Sequence, residues 1–301
     1  MKHKVKVVTI LGQTASGKSD LAVHLAKRFQ GEVVSADSRQ VYKEFNLTSG
    51  KISKEEMQGV KHHLLDVASV LDGKFSALKF KELAENAVSE IIKKGHLPII
   101  AGGTGFYTDV LLGNVFLDEL NRDEDAIKEL ESKSLDELRE ELLQLSKDVY
   151  NKTDLNNKIK VARAVERLKF GTDKKIEPMF EFDTLYLGIK WPKTKLRERI
   201  HIRLLQRHKA HMCDEVDKLI QQGVPKDLFE ELGLEMRYCK RLVLGEISED
   251  EFLLELENKI WQYAKRQNTY FKRNKNIIWL KPQEKLEDVY EEAERMLVAF
   301  L

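Results

Sequence analysis

Short apolar runs alternate with helical periodicity over the first third of the chain. Val5–Leu11 is a nearly continuous apolar run of strand length, the signature of a buried strand. Ser19–Phe29 has Leu21, Ala22, Leu25 and Ala26 at helical spacing, and "GEVVSAD" is a second strand. Phe75–Lys94 is predicted helical, with Leu78, Leu83, Ala87, Ile91 and Ile92 on one stripe. "HLPIIAGG" is a third strand, followed by a helix over Phe106–Leu112. Strands alternating with helices imply crossover units and a parallel sheet with helices on its faces.

The pattern changes after residue 113. From Asn121 to Val149 the chain is charged, with Ile127, Leu130, Leu135, Leu138, Leu142 and Leu145 at helical spacing. A further helix is predicted over Asn156–Phe170, and "GTDKKIEPMFEFD" reads as a linker. Residues 114–181 are therefore expected to form an all-helical insertion in an α/β core made of 1–113 and 182–301. "DTLYLGIKW" restores a buried strand. Thr194–Gln222 reads as one long basic helix ended by Gly223 and Pro225, Ser248–Arg273 as the last strong helix, and "NIIWL" as the last strand.

Composition adds exclusions. With 301 residues, 42% hydrophobic and 34% charged, the chain has the makeup of a globular protein. The formal net charge of +1 announces no nucleic-acid partner, so any basic surface must be local. Cys213 and Cys239 stand at no metal-ligand spacing and are expected to be ordinary reduced thiols. The apolar run near the start is too short for a signal segment, and no stretch approaches a membrane span. A cytoplasmic monomer is the expectation.

The chemistry begins at "GQTASGKS", Gly12 to Ser19, between the first strand and the first helix. Gly12 and Gly17 allow backbone angles that aim successive N–H groups at an anion. The helix N-terminus adds positive field, Lys18 a charge for terminal phosphates, and Ser19 a hydroxyl suited to Mg²⁺. This pattern holds a diphosphate or triphosphate and says no more. Asp37, just past the second strand, should face the loop, because ligands of open α/β sheets lie at the strands' carboxyl ends. It could hold Mg²⁺ through water, act as a general base, or cap a helix. Ser38 and Gln40 suit a base edge, and Tyr42 suits stacking or packing. Gly102, Gly103 and Gly105 make a tight turn at the same edge, exposing the Thr104 hydroxyl, which suits a substrate channel better than an ATPase.

"GQTASGKS", "SADSRQVY", "LPIIAGGTGFY", "NNKIKVARAVE", "GEIS" and "YAKRQNTYFK" occur in this order. Together they resemble the tRNA dimethylallyltransferases (tRNA isopentenyltransferases), from Val5 to about Leu280. The resemblance implies a P-loop-like α/β core and transfer of a dimethylallyl group from dimethylallyl diphosphate to N6 of the adenosine just 3′ of the anticodon. The acceptors would be tRNAs reading codons that begin with U, and the products N6-dimethylallyladenosine and diphosphate. The loop residues Gly12, Gln13, Thr14, Ala15, Ser16, Gly17, Lys18 and Ser19 would grip the leaving diphosphate, with Mg²⁺ on Ser19. Asp37 matches the catalytic Asp, Thr104 the channel Thr at the scissile oxygen, and Arg203 an Arg implicated in diphosphate binding. Ser38, Arg39 and Gln40 fall on the stretch that recognises the target adenine. The insertion would grip the anticodon arm through Lys158, Lys160, Arg163 and Arg167, the adenosine being flipped into the site. The acid-free stretch from Asn258 to Lys281, with Trp261 and Tyr270, suits RNA backbone and bases or an amphipathic core helix. His62 and His63 suit a structural role.

The chain departs from that family's usual pattern at several places. Gln13 replaces a usual Pro, "NLTSGK" (Asn46–Lys51) replaces Asp-Ile-Gly-Thr-Ala-Lys, and "DLNN" (Asp154–Asn157) replaces His-Pro-Asn-Asn/Asp. Ile159 takes the place of one usual Arg and Lys160 that of the next, and Met236 that of a common Tyr. Three other readings share parts of the pattern: an adenylate isopentenyltransferase acting on free AMP, ADP or ATP; a small-molecule kinase with Lys195, Arg197, Arg199, Arg203 and Arg207 as its lid; and a phosphate-gated RNA-binding protein.

Overall fold

In the computed structural model, which describes residues 4–73, 75–120, 129–130 and 132–301, the apolar runs become the strands of one parallel sheet. β1 (Val5–Gly12) lies between β4 (Leu97–Ala101) and β7 (Phe182–Ile189), with Val8 opposite both Ile99 and Leu185. The order is β3-β2-β4-β1-β7-β8, with β2 at Gly31–Ser35, β3 at His62–His63 and β8 at Ile278–Leu280. Purely parallel strands need both faces covered, which explains apolar runs that do not alternate. α1 (Lys18–Arg28) buries Leu21, Ala22, Leu25 and Ala26 as predicted. α2 (Lys54–Met57) is a single capped turn, and α3 (Ala77–Lys93) covers the sheet with a stripe that keeps Ala87 and Ile91 of the predicted one and shifts at its other positions. Phe80, Ala84, Val88 and Ile91 are buried, while Ile92 is exposed. α4 (Gly105–Leu111) follows β4 directly.

The sheet belongs to a unit made of residues 1–112 and 179–301. Its later part holds more helices than the sequence suggested. The expected 194–222 helix is two, Lys193–Lys209 and Asp214–Gln221, because the chain turns at Ala210 and His211, the latter at φ +63°. Short helices Leu228–Leu232 and Leu234–Val243 precede the long helix Glu249–Phe271, and Tyr290–Phe300 closes the chain. Glu249–Phe271 starts at a full capping box between Ser248 and Glu251, which satisfies two otherwise orphaned backbone donors. Cys213 and Cys239 are free thiols, as expected, but they are not isolated: their sulfurs lie 2.6 Å apart.

Residues 113–178 form a second compact unit. Its core is Leu130 together with Leu138 and Leu142 from the helix Leu135–Leu145 and Val161, Ala164 and Val165 from the helix Lys158–Phe170. Ile127 and its neighbours 121–128 lie outside the described residues. The insertion is not wholly helical. Gly171–Ile176 (β6), expected to be linker, pairs antiparallel with β5 (Leu117–Leu120). The pairing satisfies backbone groups of two extended segments that carry too few apolar residues to announce a strand. Among the described residues no helix is long and apolar enough to cross a membrane.

Candidate active site

The loop between β1 and α1 is built on three unusual backbone positions. Gly12 has φ +151°, Gly17 has φ +92°, and Ala15 is left-handed at φ +59°. A Cβ on Gly12 would meet the Ser16 hydroxyl at 2.9 Å and the Ile189 carbonyl at 3.0 Å, so the loop closes only on glycine there. Its outer carbonyls are held from outside. The Trp191 indole N–H donates to Ser16 O at 2.9 Å, and Arg199 Nε donates to Ala15 O at 2.8 Å while its guanidinium stacks on Trp191. The buried Ser16 hydroxyl has no hydrogen-bond partner. The Lys18 ammonium donates to Gln13 O at 2.8 Å. Burial lowers the Lys18 pKa to about 8 against the pull of Asp37, with Arg203 also lowering it. Lys18 thus feels a carboxylate and a guanidinium of opposite effect.

Gln13, the residue that departs from the usual proline, has a partner of its own. Its side-chain amide donates to Ala264 O at 2.9 Å, on the Glu249–Phe271 helix. From the same helix the buried Gln267 reaches back, accepting from Thr14 N–H at 2.8 Å and donating to Gly103 O at 3.0 Å.

Asp37 and Thr104 meet where β2 and β4 end. A Cβ on Gly102 would collide with the Ala36 carbonyl, and one on Gly103 would lie 3.8 Å from Asp37 Oδ2. The glycines therefore let two strand ends approach face to face. Asp37 Oδ1 accepts from Arg39 N–H at 2.9 Å within a turn, so the carboxylate caps no helix. The Thr104 hydroxyl accepts from Ser38 N–H at 3.0 Å instead of capping α4.

Arg203 Nη2 donates to Gly50 O at 2.8 Å, and Gln40 Nε2 donates to the same carbonyl at 3.2 Å. Gln40 thus spends its amide inside the protein. Burial, with Arg207 beside it, lowers the Arg203 pKa, while Asp37 raises it. Gly50 lies in the divergent Asn46–Lys51 segment, which carries its own clamp. One Glu215 carboxylate accepts from the N–H groups of Asn46, Leu47 and Thr48 and from the Thr48 hydroxyl, at 2.6–3.0 Å. Arg207 donates to the carbonyls of Leu47 and Thr48.

Other expected residues lie outside this cluster. Tyr42 packs in the core, its hydroxyl accepting from Phe75 N–H at 3.1 Å. Tyr270 binds Asp109 under a stacked Arg273, and Trp261 packs partly buried against the core. His63 forms the sheet edge and binds the buried Glu32 at 2.6 Å. In the 113–178 unit, Lys160, Arg163 and Arg167 share one helix face at i, i+3, i+7 spacing, and Lys158 lies roughly opposite. Arg163 is exposed, Lys160 pairs with Asp154 at 3.0 Å, and Arg167 pairs with Asp118 at 2.7 Å. No group of three or more metal-ligating side chains occurs among the described residues.

Sequence reasoning missed Gln267, Trp191 and Glu215, and offered Arg199 only as part of a kinase lid, whereas it holds the Ala15 carbonyl from outside the loop. Gln267 had a legible signal: it falls on the apolar stripe of Leu256, Ile260, Ala264 and Phe271, where a polar side chain must find partners.

The model of the family described as IPP transferase matches residues 40–274. A tRNA dimethylallyltransferase of Leuconostoc citreum is 37% identical over 91% of this chain and 93% of its own. A Treponema denticola protein named tRNA dimethylallyltransferase 2 is 38% identical, with the same coverage. Among solved structures, the tRNA isopentenylpyrophosphate transferase of Bacillus halodurans superposes with a TM-score of 0.75 at 30% identity, covering 99% of this chain and 97% of that one. A eukaryotic dimethylallyltransferase acting on tRNA shares the fold at a TM-score of 0.82 and 24% identity, over 98% of this chain and 78% of that one.

Proposed function

The chain belongs to the IPP transferase family, and from that premise we propose that it transfers a dimethylallyl group from dimethylallyl diphosphate to N6 of the adenosine 3′ of a tRNA anticodon. The observation that carries the reading is that Gln267 ties the Lys18-bearing loop, at Thr14 N–H, to the Gly103 turn that faces the Asp37 carboxylate. A cation-rich cradle for a diphosphate thus stands beside a carboxylate able to take a proton.

The chemistry follows from the placement. A bond forms from N6 to C1 of the allyl group as the bond from C1 to the bridging oxygen breaks. The electron pair leaves with the diphosphate, and the N6 proton passes to Asp37. Negative charge grows on the bridging oxygen, where Lys18, the loop N–H groups and Arg203 are positioned to meet it. The Thr104 hydroxyl, which accepts from Ser38 N–H, would contact that oxygen. A Mg²⁺ ion would sit on the Ser19 hydroxyl and the diphosphate oxygens, a hard-oxygen set that suits it, and would add positive charge to the leaving group. Ser38 and Arg39 follow Asp37 directly in the chain and would meet the incoming adenine. Gln40, tied to Gly50 O, shapes that stretch rather than reading a base edge. The 113–178 unit grips the anticodon arm, with Arg163 foremost on the Lys160 face. The protein works as a cytoplasmic monomer.

The test is direct. Protein, Mg²⁺ and labelled dimethylallyl diphosphate are incubated with unmodified tRNA, with AMP, or with ATP and small hydroxyl acceptors. Label is expected in tRNA. Label in AMP alone, or ATP turnover without prenyl transfer, would overturn the reading.

A further inference from the structure

The two halves of the reaction are held by separate stretches of chain. The loop 12–19 holds the leaving group, and the turns at 36–38 and 102–105 hold Asp37 and Thr104. Transfer requires C1, the bridging oxygen and N6 to be in line, so the spacing between those stretches must be fixed. One side chain spans them. Gln267 is 6% exposed, and its amide uses both ends: Oε1 accepts from Thr14 N–H, and Nε2 donates to Gly103 O. Gly103 neighbours Thr104 in the chain, and its Cα side faces Asp37. A Cβ there would meet Gln267 Nε2 at 2.6 Å and Asp37 Oδ2 at 3.8 Å. The absence of a side chain at Gly103 is what lets the amide lie against the turn. Gln13, reaching from the loop to Ala264 O, anchors the same loop one helical turn earlier on the same helix, but it touches only one half of the site.

We propose that Gln267 is a positioning residue for the transfer: its amide sets the distance between the phosphate loop and the turn carrying Thr104 opposite Asp37. The proposal rests on the prenyl-transfer reading of this site. Gln267 touches neither substrate and acts through the backbone of Thr14 and Gly103. Losing it leaves each half able to bind its ligand but no longer holds them in register.

The experiment compares three variants by single-turnover and steady-state kinetics with labelled dimethylallyl diphosphate and tRNA. Gln267→Leu removes both bonds at similar volume. Its single-turnover rate constant is expected to fall roughly 10- to 100-fold, with both KM values within about three-fold of wild type. Gln267→Glu keeps an acceptor for Thr14 N–H but, when ionised, sets a carboxylate against the Gly103 carbonyl. Its rate relative to wild type is expected to rise as pH falls from about 8 to about 6, because protonation restores a donor. Leu256→Ala hollows the buried face of the same helix about three turns before Gln267 and removes neither of its two hydrogen bonds. It is expected to lower the melting temperature at least as far while keeping the single-turnover rate within about two-fold. A Gln267→Leu rate within about two-fold of wild type would overturn the proposal, as would a Leu256→Ala rate reduced as much as that of Gln267→Leu. A wild-type protein that transfers no label to tRNA would overturn the functional reading itself, an outcome distinct from both.

Discussion

At the scale of single residues, the site is a set of charges whose positions make them interdependent. Lys18 is the clearest case. Its ammonium is held in the fold with a pKa lowered from the ordinary 10.5 to about 8, chiefly by burial. Below pH 8 it is charged and available to a diphosphate; above pH 8 it loses its proton and the attraction with it. The KM for the prenyl donor is therefore expected to rise as pH increases through about 8. Donor binding above that pH should take up a proton, measurable by calorimetry in buffers of different ionisation heat. The sign for stability is the reverse. Between 8 and 10.5 the unfolded chain binds more protons than the folded one at this residue, so the stability that the buried Lys18 ammonium costs below pH 8 is recovered as pH rises across that window. Asp37 answers a different measurement. Because a base acts mainly in the transition state, Asp37→Ala is expected to lower kcat by roughly 10²- to 10⁴-fold while tRNA affinity, read by filter binding, stays within a few-fold. Near-normal turnover would remove Asp37 from the base role. The residues that carry the charge were legible in the sequence, since glycine, lysine and carboxylate patterns at strand ends have few other uses. Gln13 was not. Its partner is the carbonyl of Ala264, and a backbone acceptor 251 residues away leaves no side-chain signature.

At the scale of elements, what the sequence showed least well is how loops are held. The parallel strands announced themselves because burial on both faces demands continuous apolar runs, as in Val7, Val8, Ile10 and Leu11. β3 did not: His62 and His63 are an edge pair fixed by register with Val33 and Val34 and by the Glu32 carboxylate, not by apolar content. The Asn46–Lys51 segment was visible only as a departure from a familiar pattern, yet its backbone is gathered by a single Glu215 carboxylate and by Arg207. Two residues beyond the clamped Asn46–Thr48 stretch, the Gly50 carbonyl seats Arg203. Glu215→Ala leaves three backbone N–H groups to find new partners. The change is expected to destabilise the fold by about 1–3 kcal/mol, read by denaturant unfolding, and to raise the donor KM as Arg203 loses its seat. An unchanged KM in a destabilised variant would detach the clamp from the phosphate side of the site. The Lys158–Phe170 helix makes a separate demand. Lys160, Arg163 and Arg167 share a face, so Arg163→Ala is expected to weaken tRNA binding and to make its dependence on salt shallower by about one counterion. Lys158, on the other side of that helix, should change the salt slope less, and equal slopes for the two variants would remove the face from the RNA interface.

At the scale of the whole molecule, the chain contains two compact units whose connection has a simple geometry. The 113–178 unit begins and ends at one place. A Cβ on Gly113, at φ +74°, would lie 3.3 Å from Pro178, and β5 and β6 pair just inside those ends, Leu117 opposite Ile176. A segment that leaves and returns at the same point costs the remaining chain little loop-closure entropy if a short turn replaces it. The other unit keeps its own sheet and core: β1 is flanked by β4 and β7, and Leu187 and Leu280 pack with Leu21 and Leu25 in one cluster. The phosphate loop, Asp37, Thr104, Arg203 and Gln267 all lie in residues 1–112 and 179–301. Replacing residues 113–178 with a short Gly-Ser turn is therefore expected to leave a protein that unfolds cooperatively and binds dimethylallyl diphosphate with near-native affinity. Its tRNA affinity should fall well below that of the full chain, and with it transfer to tRNA at low tRNA concentration, while slow transfer to a short adenosine-containing oligonucleotide at high concentration survives. Loss of donor binding would mean that the cradle depends on the excised unit; undiminished tRNA affinity would mean that the anticodon arm is gripped elsewhere, with the acid-free stretch from Asn258 to Lys281 the next surface to mutate.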